Sequence, residues 1–531
     1  MTYKVLVSDK LGEAGIKIFE MDPEIEVDVK TDLTPEALKE IIGEYNGLAI
    51  RSATKVTEAL LESAENLKVI GRAGIGVDNI DVPAATKRGI LVMNTPGGNV
   101  VTTAEHAIAM MMALTRNIPQ GTMSLKKGRW DKKKLQGREI MNKTLGVIGF
   151  GKIGSVVAKR ARGLKMKVIV YDPVVAPEKI QKAGCESVSL DELYEKSDYI
   201  TIHVPKIKKT ANMIDKAAFG KMKNGVMLIN CARGGIVDEE ALYEALTLGR
   251  VAGAAMDVFA VEPPPSDHPL LSLDNVIVTP HLGASTAEAQ TNVAVAIANQ
   301  ISDYLKNETI ANSVNVPSVS GDVLEELDPY IRLADRLGCM QGQLVKGHIR
   351  EIEIAYDGDF GDIDLSPVTT AVICGLLEPL VIDDVNAVNA RFLAKEMGIR
   401  VLESNTEDAQ EFMNLLSVKV RTDKEESTVA GTVFGKSDPR VVKINDFRLE
   451  MKPEGYLTLI QNMDIPGEIG NIGTVLGNNN INISRMTVGQ EAEGKGGRNI
   501  VFLRTDTPLD KDILFQLENM PQARTVIYME L

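Results

Sequence analysis

A chain of 531 residues is too long for one hydrophobic core, and at roughly 150 residues per domain it suggests about three to four domains. Its 44% hydrophobic and 25% charged residues are those of an ordinary globular protein, which excludes extensive disorder. The formal net charge of -14 argues against a nucleic-acid partner or an anionic membrane surface, because phosphates and acidic headgroups would be repelled.

The chain opens MTYKVLVSDKLGEAG, a strand and a turn rather than a basic flank before a long apolar run, so no secretion signal is expected. Strand-like runs then alternate with helical stretches up to about residue 310: KVLVSD, GLAIRS, KVIGRAG, TLGVIGFG, KVIVYDP, YITIHVP, VMLINCARGG, GAAMDVF and NVIVTPH. That alternation predicts an α/β protein whose parallel sheets are covered by helices on both faces. In such sheets the ligand crevice lies beyond the C-terminal ends of the strands, where several of these runs meet polar or Gly-rich loops. The most apolar helix, Ala104 to Leu114, carries Glu105 and His106 and is shorter than the roughly 20 residues a bilayer core requires. It reads as a buried crossing helix.

Around Asn312 to Ser320 the composition shifts to small polar residues with a proline, which predicts a linker. Residues 317 to 452 then mix a helical segment, EELDPYIRLADRLGCMQGQLV, with the strands EIEIAY, LSVKVRT and STVAGTVFG, an α+β unit. A second break falls at Lys452-Pro453-Glu454-Gly455. The stretch from 453 to 531 reads strand, Pro-Gly turn, helix, strand, strand, helix, strand, the split βαβ order of a ferredoxin-like fold. Cys185, Cys231, Cys339 and Cys374 are far apart and form no C-x-x-C pair. They indicate neither a zinc site nor a disulfide framework, and reduced thiols suit a cytoplasmic location.

The short apolar strand ending at Gly149 runs into Gly149-x-Gly151-x-x-Gly154 and then into the helical SVVAKRARGLK. The first glycine permits a tight turn, the second lets backbone approach a pyrophosphate, and the third packs helix closely on strand. The helix start offers free N–H groups to the phosphates. Asp172 ends the next strand, KVIVYD, where a carboxylate accepts from ribose hydroxyls and repels a 2′-phosphate, and Pro173 rather than an arginine follows it. The expected cofactor is NAD.

Hydride transfer from a hydroxyl carbon needs a general base, a group that orients it, and a cation for the substrate carboxylate. Among five histidines, His281 ends the strand NVIVTP at the turn HLGAS, where strand-end chemistry belongs. His106 reads as packed or polar-satisfied, His203 as a neighbour of the cofactor, His268 as a loop residue, and His348 lies outside the dehydrogenase region. Arg233 ends VMLINCA just before Gly234-Gly235, and its fork can hold a carboxylate through two parallel hydrogen bonds. Glu262 in VFAVEPP is placed to bond the imidazole, but its residues alone leave that role open.

The blocks GVIGFGKIG, NCARGGIVDEEAL, AAMDVFAVEPP and TPHLGAST resemble the D-2-hydroxyacid dehydrogenase family in order and separation. The resemblance implies Arg233, Glu262 and His281 as the catalytic set. It implies NAD contacts from Gly149, Gly151, Lys152, Ile153, Gly154, Asp172, His203, Val204, Pro205, Cys231, Ala232, Asp257, Gly283 and Ala284. It also implies two Rossmann-like lobes with the active site between them: a flavodoxin-like substrate lobe, discontinuous over 1–98 and 284–316, and an NAD-binding lobe over 99–283.

In the first lobe, Arg51-Ser52 follows GLAI, and Arg72-Ala73-Gly74 follows KVIG, so two guanidiniums converge on one cleft and suit a phosphate-bearing substrate. IRSATKV, VIGRAGIGVDNID and NTPGGNVVTTAEHA are similar to the phosphoglycerate-oxidising branch of the family, in its long form. That likeness implies substrate contacts from Arg51, Ser52, Arg72, Gly74 and Asn99, and oxidation of 3-phospho-D-glycerate to 3-phosphohydroxypyruvate, the first step of phosphorylated L-serine synthesis. It further implies an intervening domain over 317–452, with Arg440, Lys443 and Arg448 as anion contacts, and a regulatory ACT domain over 453–531. Asn462 and Asp464 of one subunit would meet Asn482 of another around an L-serine effector. The implied assembly is a homotetramer, with the basic run around Trp130 reaching a neighbouring subunit. Two alternatives stand beside this reading: a hydroxypyruvate or glyoxylate reductase of the same family, and a non-enzymatic NAD-sensing regulatory protein on the same scaffold.

Overall fold

The computed structural model describes residues 2–317, 321–361, 363–381, 384–409, 411–491 and 498–531; residues 318–320 of the expected linker lie outside these. The first sheet contains β1 (Tyr3–Val7), β2 (Ile25–Val29), β3 (Gly47–Ile50), β4 (Val69–Arg72) and β5 (Leu91–Asn94). All are parallel, in the order β2-β1-β3-β4-β5, the flavodoxin arrangement. The strands are continuous apolar runs because helices cover both faces: Val5, Leu48, Ile70 and Leu91 are fully buried.

The second sheet contains β6 (Thr144–Ile148), β7 (Lys167–Tyr171), β8 (Glu186–Ser187), β9 (Tyr199–Ile202), β10 (Val226–Asn230), β11 (Val251–Met256) and β12 (Val276–Val278). Its parallel order, β12-β11-β10-β9-β6-β7-β8, places the switch point between β6 and β9. Dinucleotides bind in this crevice of a Rossmann sheet. The crossing helix Val100–Thr115 enters this lobe and packs Ala104, Ala107, Met110 and Met111 into its core.

The chain then returns to the first lobe. Helix Ala287–Asn307, capped by the Thr286 hydroxyl on the Ala289 N–H, lays Ile297 and Ile301 against the first sheet. The fit is close enough that a side chain at Gly71 would collide with Ile301, and one at Gly15 with the Ala294 carbonyl. These two lobes form the doubly wound α/β half of the protein.

The remaining strands are β13 (Ile349–Gly358), β14 (Arg400–Thr406), β15 (Asn414–Thr422), β16 (Glu426–Phe434), β17 (Asp438–Ile444), β18 (Phe447–Met451), β19 (Tyr456–Met463), β20 (Ile483–Glu491), β21 (Arg498–Thr505) and β22 (Ala523–Glu530). The terminal β19–β22 follow the ferredoxin-like order β20-β21-β19-β22. They do not form a separate sheet. Pairing of Phe447 with Glu491 and of Arg448 with Gln490 joins them to β13–β18 as one sheet of ten strands. Gly489 permits the junction, since a Cβ there would lie 3.1 Å from the Arg448 carbonyl oxygen. Alternation along the strands explains the shared core: Leu457, Leu459, Ile500 and Phe502 face the helices Gly321–Leu344 and Ser366–Leu377, while Ile460, Val501 and Leu503 face the terminal helices. No helix of the described residues is long and apolar enough to cross a membrane.

Candidate active site

Gly149 leaves β6 with φ of 94°, a left-handed conformation that favours glycine. A Cβ at Gly154 would collide with the Gly149 carbonyl, so only glycine lets helix Lys152–Gly163 start this close to the strand. A Cβ at Gly151 meets nothing within 4 Å, which leaves open space directly before the helix N-terminus. Lys152 and Ile153 form the first helical residues. Asp172, just past β7, accepts the Phe150 N–H at 2.6 Å through one oxygen and those of Val174 and Val175 at 2.8 and 2.9 Å through the other. Burial opposes its charge, but the three backbone N–H groups hold its carboxyl below the usual range. Such a glycine cradle beside an ionised carboxylate fits a dinucleotide with a free 2′-hydroxyl.

His203, Val204 and Pro205 follow β9 and face the Gly149 turn; a Cβ at Gly149 would come within 2.5 Å of the His203 carbonyl oxygen. Burial pushes the His203 imidazole down to about 4, and its Nε2 lies 2.9 Å from the Thr201 hydroxyl. A ring kept neutral at neutral pH is a wall rather than a proton carrier. Cys231 and Ala232 follow β10, in a turn shaped by Asn230: its Oδ1 accepts the Ala232 N–H, and its Nδ2 donates to the Arg233 carbonyl, each at 3.1 Å. Burial pushes the Cys231 thiol up, so it stays protonated.

His281 stands in the left-handed region at φ 54°, and its Nδ1 lies 2.8 Å from Glu262 Oε2. Glu262 also accepts the Phe259 N–H at 3.0 Å. Burial opposes its charge, yet the imidazole and that N–H together keep its carboxyl below the usual range. Asp257, expected beside the cofactor, holds this turn in place. Its buried carboxylate accepts from the Thr279 hydroxyl at 2.6 Å and from the Leu282 and Gly283 N–H groups at 2.7 and 2.8 Å, with His106 Nε2 at 3.1 Å. Its carbonyl accepts the His281 N–H at 2.9 Å. Ala284 continues the same turn. His106, read as packed or polar-satisfied, is a hydrogen-bonded anchor on the crossing helix.

Arg233 reaches across the cleft. Its Nε donates to Asp78 Oδ2 at 2.9 Å, its Nη1 donates to the Ala232 carbonyl at 2.7 Å, and a Cβ at Gly76 would collide with its Nη2. Arg72 lies in the same space: burial, then repulsion from Arg233 and Arg51, lower its guanidinium to about 10. The repulsion of Arg72 by Arg233 and Arg51, only partly offset by Asp78 and Asp9, favours an anion in this space.

The loops carrying these groups are fixed from behind. Asp9, 5% exposed, accepts from the N–H groups of Arg51, Ala53 and Thr54 at distances of 2.6 to 3.2 Å. Asn79 accepts from Arg72 Nε at 2.9 Å and donates to the Arg51 and Thr54 carbonyls. Ser52 is exposed on that loop. Gly74 lies against Arg72, and a Cβ there would collide with Nη1. Asn99 begins the crossing helix without a capping hydrogen bond, and its Oδ1 is buried without a partner among the described residues. Sequence reading missed Asp9, Asp78, Asn79, Asn230 and Thr279; only the ends of KVLVSD and the GVDN turn signalled polar groups there.

Far from the cleft, Asn462 is fully buried beside Asn499 on the neighbouring strand, and neither its Nδ2 nor its Oδ1 has a partner among the described residues. Asp464 accepts from Asn499 at 3.1 Å, and Asn482 donates to Asp506 at 2.6 Å. Within one chain, Asn482 is engaged away from the other two. Arg440 is spent on Asp438 and Glu450, and Arg448 on Glu411, while among the described residues no side-chain bond engages Lys443.

Residues 108–283 match the D-isomer specific 2-hydroxyacid dehydrogenase NAD binding domain, and residues 326–445 match the D-3-phosphoglycerate dehydrogenase intervening domain. A D-3-phosphoglycerate dehydrogenase of Archaeoglobus fulgidus is 43% identical over 99% of this chain and 100% of its own length. The chain belongs to the D-3-phosphoglycerate dehydrogenase family. Another member, from Bacillus subtilis, is 41% identical over the full length of both chains. Among solved structures, D-lactate dehydrogenase from Aquifex aeolicus, complexed with NAD and lactic acid, aligns with a TM-score of 0.53 and 32% identity. It covers 59% of this chain and 100% of that one. The cofactor of this dehydrogenase is NAD, and the glycine turn and Asp172 are the features that fit it.

Proposed function

We propose that this protein oxidises 3-phospho-D-glycerate to 3-phosphohydroxypyruvate with NAD, the first step of the phosphorylated route to L-serine. The observation that carries this reading is the convergence of Arg51, Arg72 and Arg233 on one cleft beside the His281–Glu262 pair.

The glycine turn at Gly149–Gly154 and Asp172 would hold NAD, with backbone from Val204, Ala232 and Gly283 along its path. When bound, NAD accepts the hydride that leaves C2 of the substrate. Arg233 takes the substrate carboxylate; Asp78 orients its fork across the cleft. Arg72 and Arg51 take the phosphate, with Ser52, Gly74 and Asn99 completing the pocket. Glu262 fixes the tautomer of His281 by accepting its Nδ1–H, which leaves Nε2 as the base for the C2 hydroxyl proton. The carboxylate then stabilises the imidazolium that forms. In reduction, His281 returns the proton to the carbonyl oxygen.

If Arg72 binds phosphate, Arg72→Ala raises KM for 3-phosphohydroxypyruvate by about 10- to 100-fold, with a much smaller change for unphosphorylated hydroxypyruvate. Equal losses on both substrates in steady-state assays would assign Arg72 to the fold instead.

The same reading keeps the division into 1–98 with 284–316, 99–283, 317–452 and 453–531, and takes the last unit as an ACT domain regulated by L-serine. Asn462 supports it, because an amide buried with no partner costs about 1–3 kcal/mol and suits a polar effector; a second subunit would supply Asn482. L-serine is expected to slow the wild type and to leave Asp464→Ala unaffected in the same rate assay; inhibition persisting in the variant would remove Asp464 from the site. A homotetramer is supported by exposed apolar side chains at Ile118, Met123, Leu125 and Trp130, the last 79% exposed, on one stretch beside the basic run. Four unpaired cysteines suit a cytoplasmic location.

A further inference from the structure

A second concavity, of about 880 Å³, lies where the first lobe, the intervening helices and the segment entering the last unit meet. Small-molecule sites occupy roughly 300–1,000 Å³. Part of its wall is apolar: Ile331 and Ala371 come from the two long intervening helices, Val385 and Val388 from the following loop, and Ile310 and Val316 from the segment leaving the first lobe.

Most charges around it are already paired. Arg332 bonds Asp328, Asp438 bonds Arg440 and Lys452, and Glu454 bonds Arg504. Asp335 and Arg336, successive on helix Gly321–Leu344, also line the cavity but form no hydrogen bond or ion pair with a described side chain. Glu308, at the end of helix Ala287–Asn307, is likewise unpaired. Burial raises the Asp335 carboxyl despite the neighbouring guanidinium, as expected of an acid without a bonded counter-charge. Adjacent acid and base beside an apolar wall match a ligand with an ammonium and a carboxylate on one carbon and a hydrocarbon body.

We infer that this cavity binds a free α-amino acid with a large apolar side chain: Asp335 takes its ammonium, Arg336 its carboxylate, and the Ile331, Ala371 and Val388 wall its side chain. The site is separate from both the catalytic cleft and the Asn462–Asp464 region.

Its walls are bonded to the substrate lobe. Asn386, in the wall loop, donates to the Gly89 carbonyl at 3.1 Å, and a side chain at Gly89 would collide with that amide. Just before the Val316 wall, Val314 N–H donates to the Val92 carbonyl at 2.8 Å, and Asn315 accepts the Val92 N–H at 2.9 Å. Both contacts bracket β5. That strand ends where Asn94 donates to the Ile75 carbonyl at 2.5 Å and Thr95 N–H to the Gly74 carbonyl at 3.0 Å, within the substrate loop. A ligand that favours one setting of these walls therefore changes substrate affinity, and the coupling is reciprocal.

The test is calorimetric titration of the full-length protein with L-leucine, L-phenylalanine and L-serine at millimolar concentrations, paired with initial-rate kinetics. We expect leucine or phenylalanine to bind the wild type and Asp464→Ala, and to change substrate KM by about fivefold or more. Asp335→Asn and Arg336→Gln, which remove the charge but keep a polar side chain, lose the binding. Asn315→Ala, outside the cavity lining, keeps the binding but loses the KM effect. The proposal is overturned if neither apolar amino acid binds, if binding survives both charge substitutions, or if Asp464→Ala abolishes it. Binding with no change in KM would overturn the coupling, as would a KM effect undiminished in Asn315→Ala.

Discussion

Replacing His281 by alanine lowers kcat by about 10²- to 10⁴-fold, the range that a positioned general acid or base supplies, while NAD still binds. Nδ1 is committed to Glu262 at 2.8 Å, no other side-chain bond among the described residues engages the ring, and the ring is about half exposed at 48%. The left-handed backbone at His281 and the Asp257 carboxylate, bonded to the two N–H groups that follow, aim it without burying it. The glycine turn and Asp172 belong to other loops, so cofactor affinity measured by fluorescence titration should change little. Turnover near that of the wild type would exclude His281 as the proton carrier. Glu262→Gln should cost less, because the amide oxygen still accepts the Nδ1–H. The charge Glu262 contributes is itself robust to acid: its carboxyl lies below the usual range, so the pair persists above the ordinary carboxylate range and is lost only as pH falls through the lowered value.

Arg233→Gln is the second large effect. Removing one partner of an enclosed, hydrogen-bonded charge pair costs about 2–5 kcal/mol, which is about 30- to 4,000-fold in kcat/KM. Arg233→Lys should recover only part of this, since an ammonium keeps the charge but not the fork. The structure adds a reason for the penalty: Nε and Nη1 are already held by Asp78 and the Ala232 carbonyl, so the fork is set before substrate arrives. Asp78→Asn should raise KM without abolishing turnover. An Arg233→Gln enzyme with unchanged kcat/KM would remove the arginine from the substrate site.

Local pattern carried the parts of this site that lie at strand ends. Gly149, Gly151 and Gly154 sit where a strand becomes a helix, and Asp172, Arg233 and His281 each follow an apolar run, so strand-end logic placed them without any tertiary information. Glu262 was left open by its own residues, because a carboxylate in a proline-rich turn has no periodic signature; the 2.8 Å contact supplies what spacing did not. Asp78 and Asn79 act on residues far along the chain, and no local rule pairs them with Arg233 or Arg51. Asp257 was read as a cofactor neighbour, and its four donors show it as the brace of the His281 turn. In the fold, alternation predicted the parallel sheets and the split βαβ order. It did not predict that β18 and β20 would join two units into one sheet, because that edge pairing depends on a close approach at Gly489 rather than on a turn.

Selection of a phosphorylated hydroxy acid by the three arginines is open to one direct test. The most direct measurement is the initial rate of NADH oxidation with 3-phosphohydroxypyruvate, hydroxypyruvate, glyoxylate and 2-oxoglutarate, compared as kcat/KM under one set of conditions. The arrangement of Arg51, Arg72 and Arg233 predicts a preference of about tenfold or more for the phosphorylated acid, which is at least about 1.4 kcal/mol of selective binding. A preference of that size for any unphosphorylated acid would contradict it.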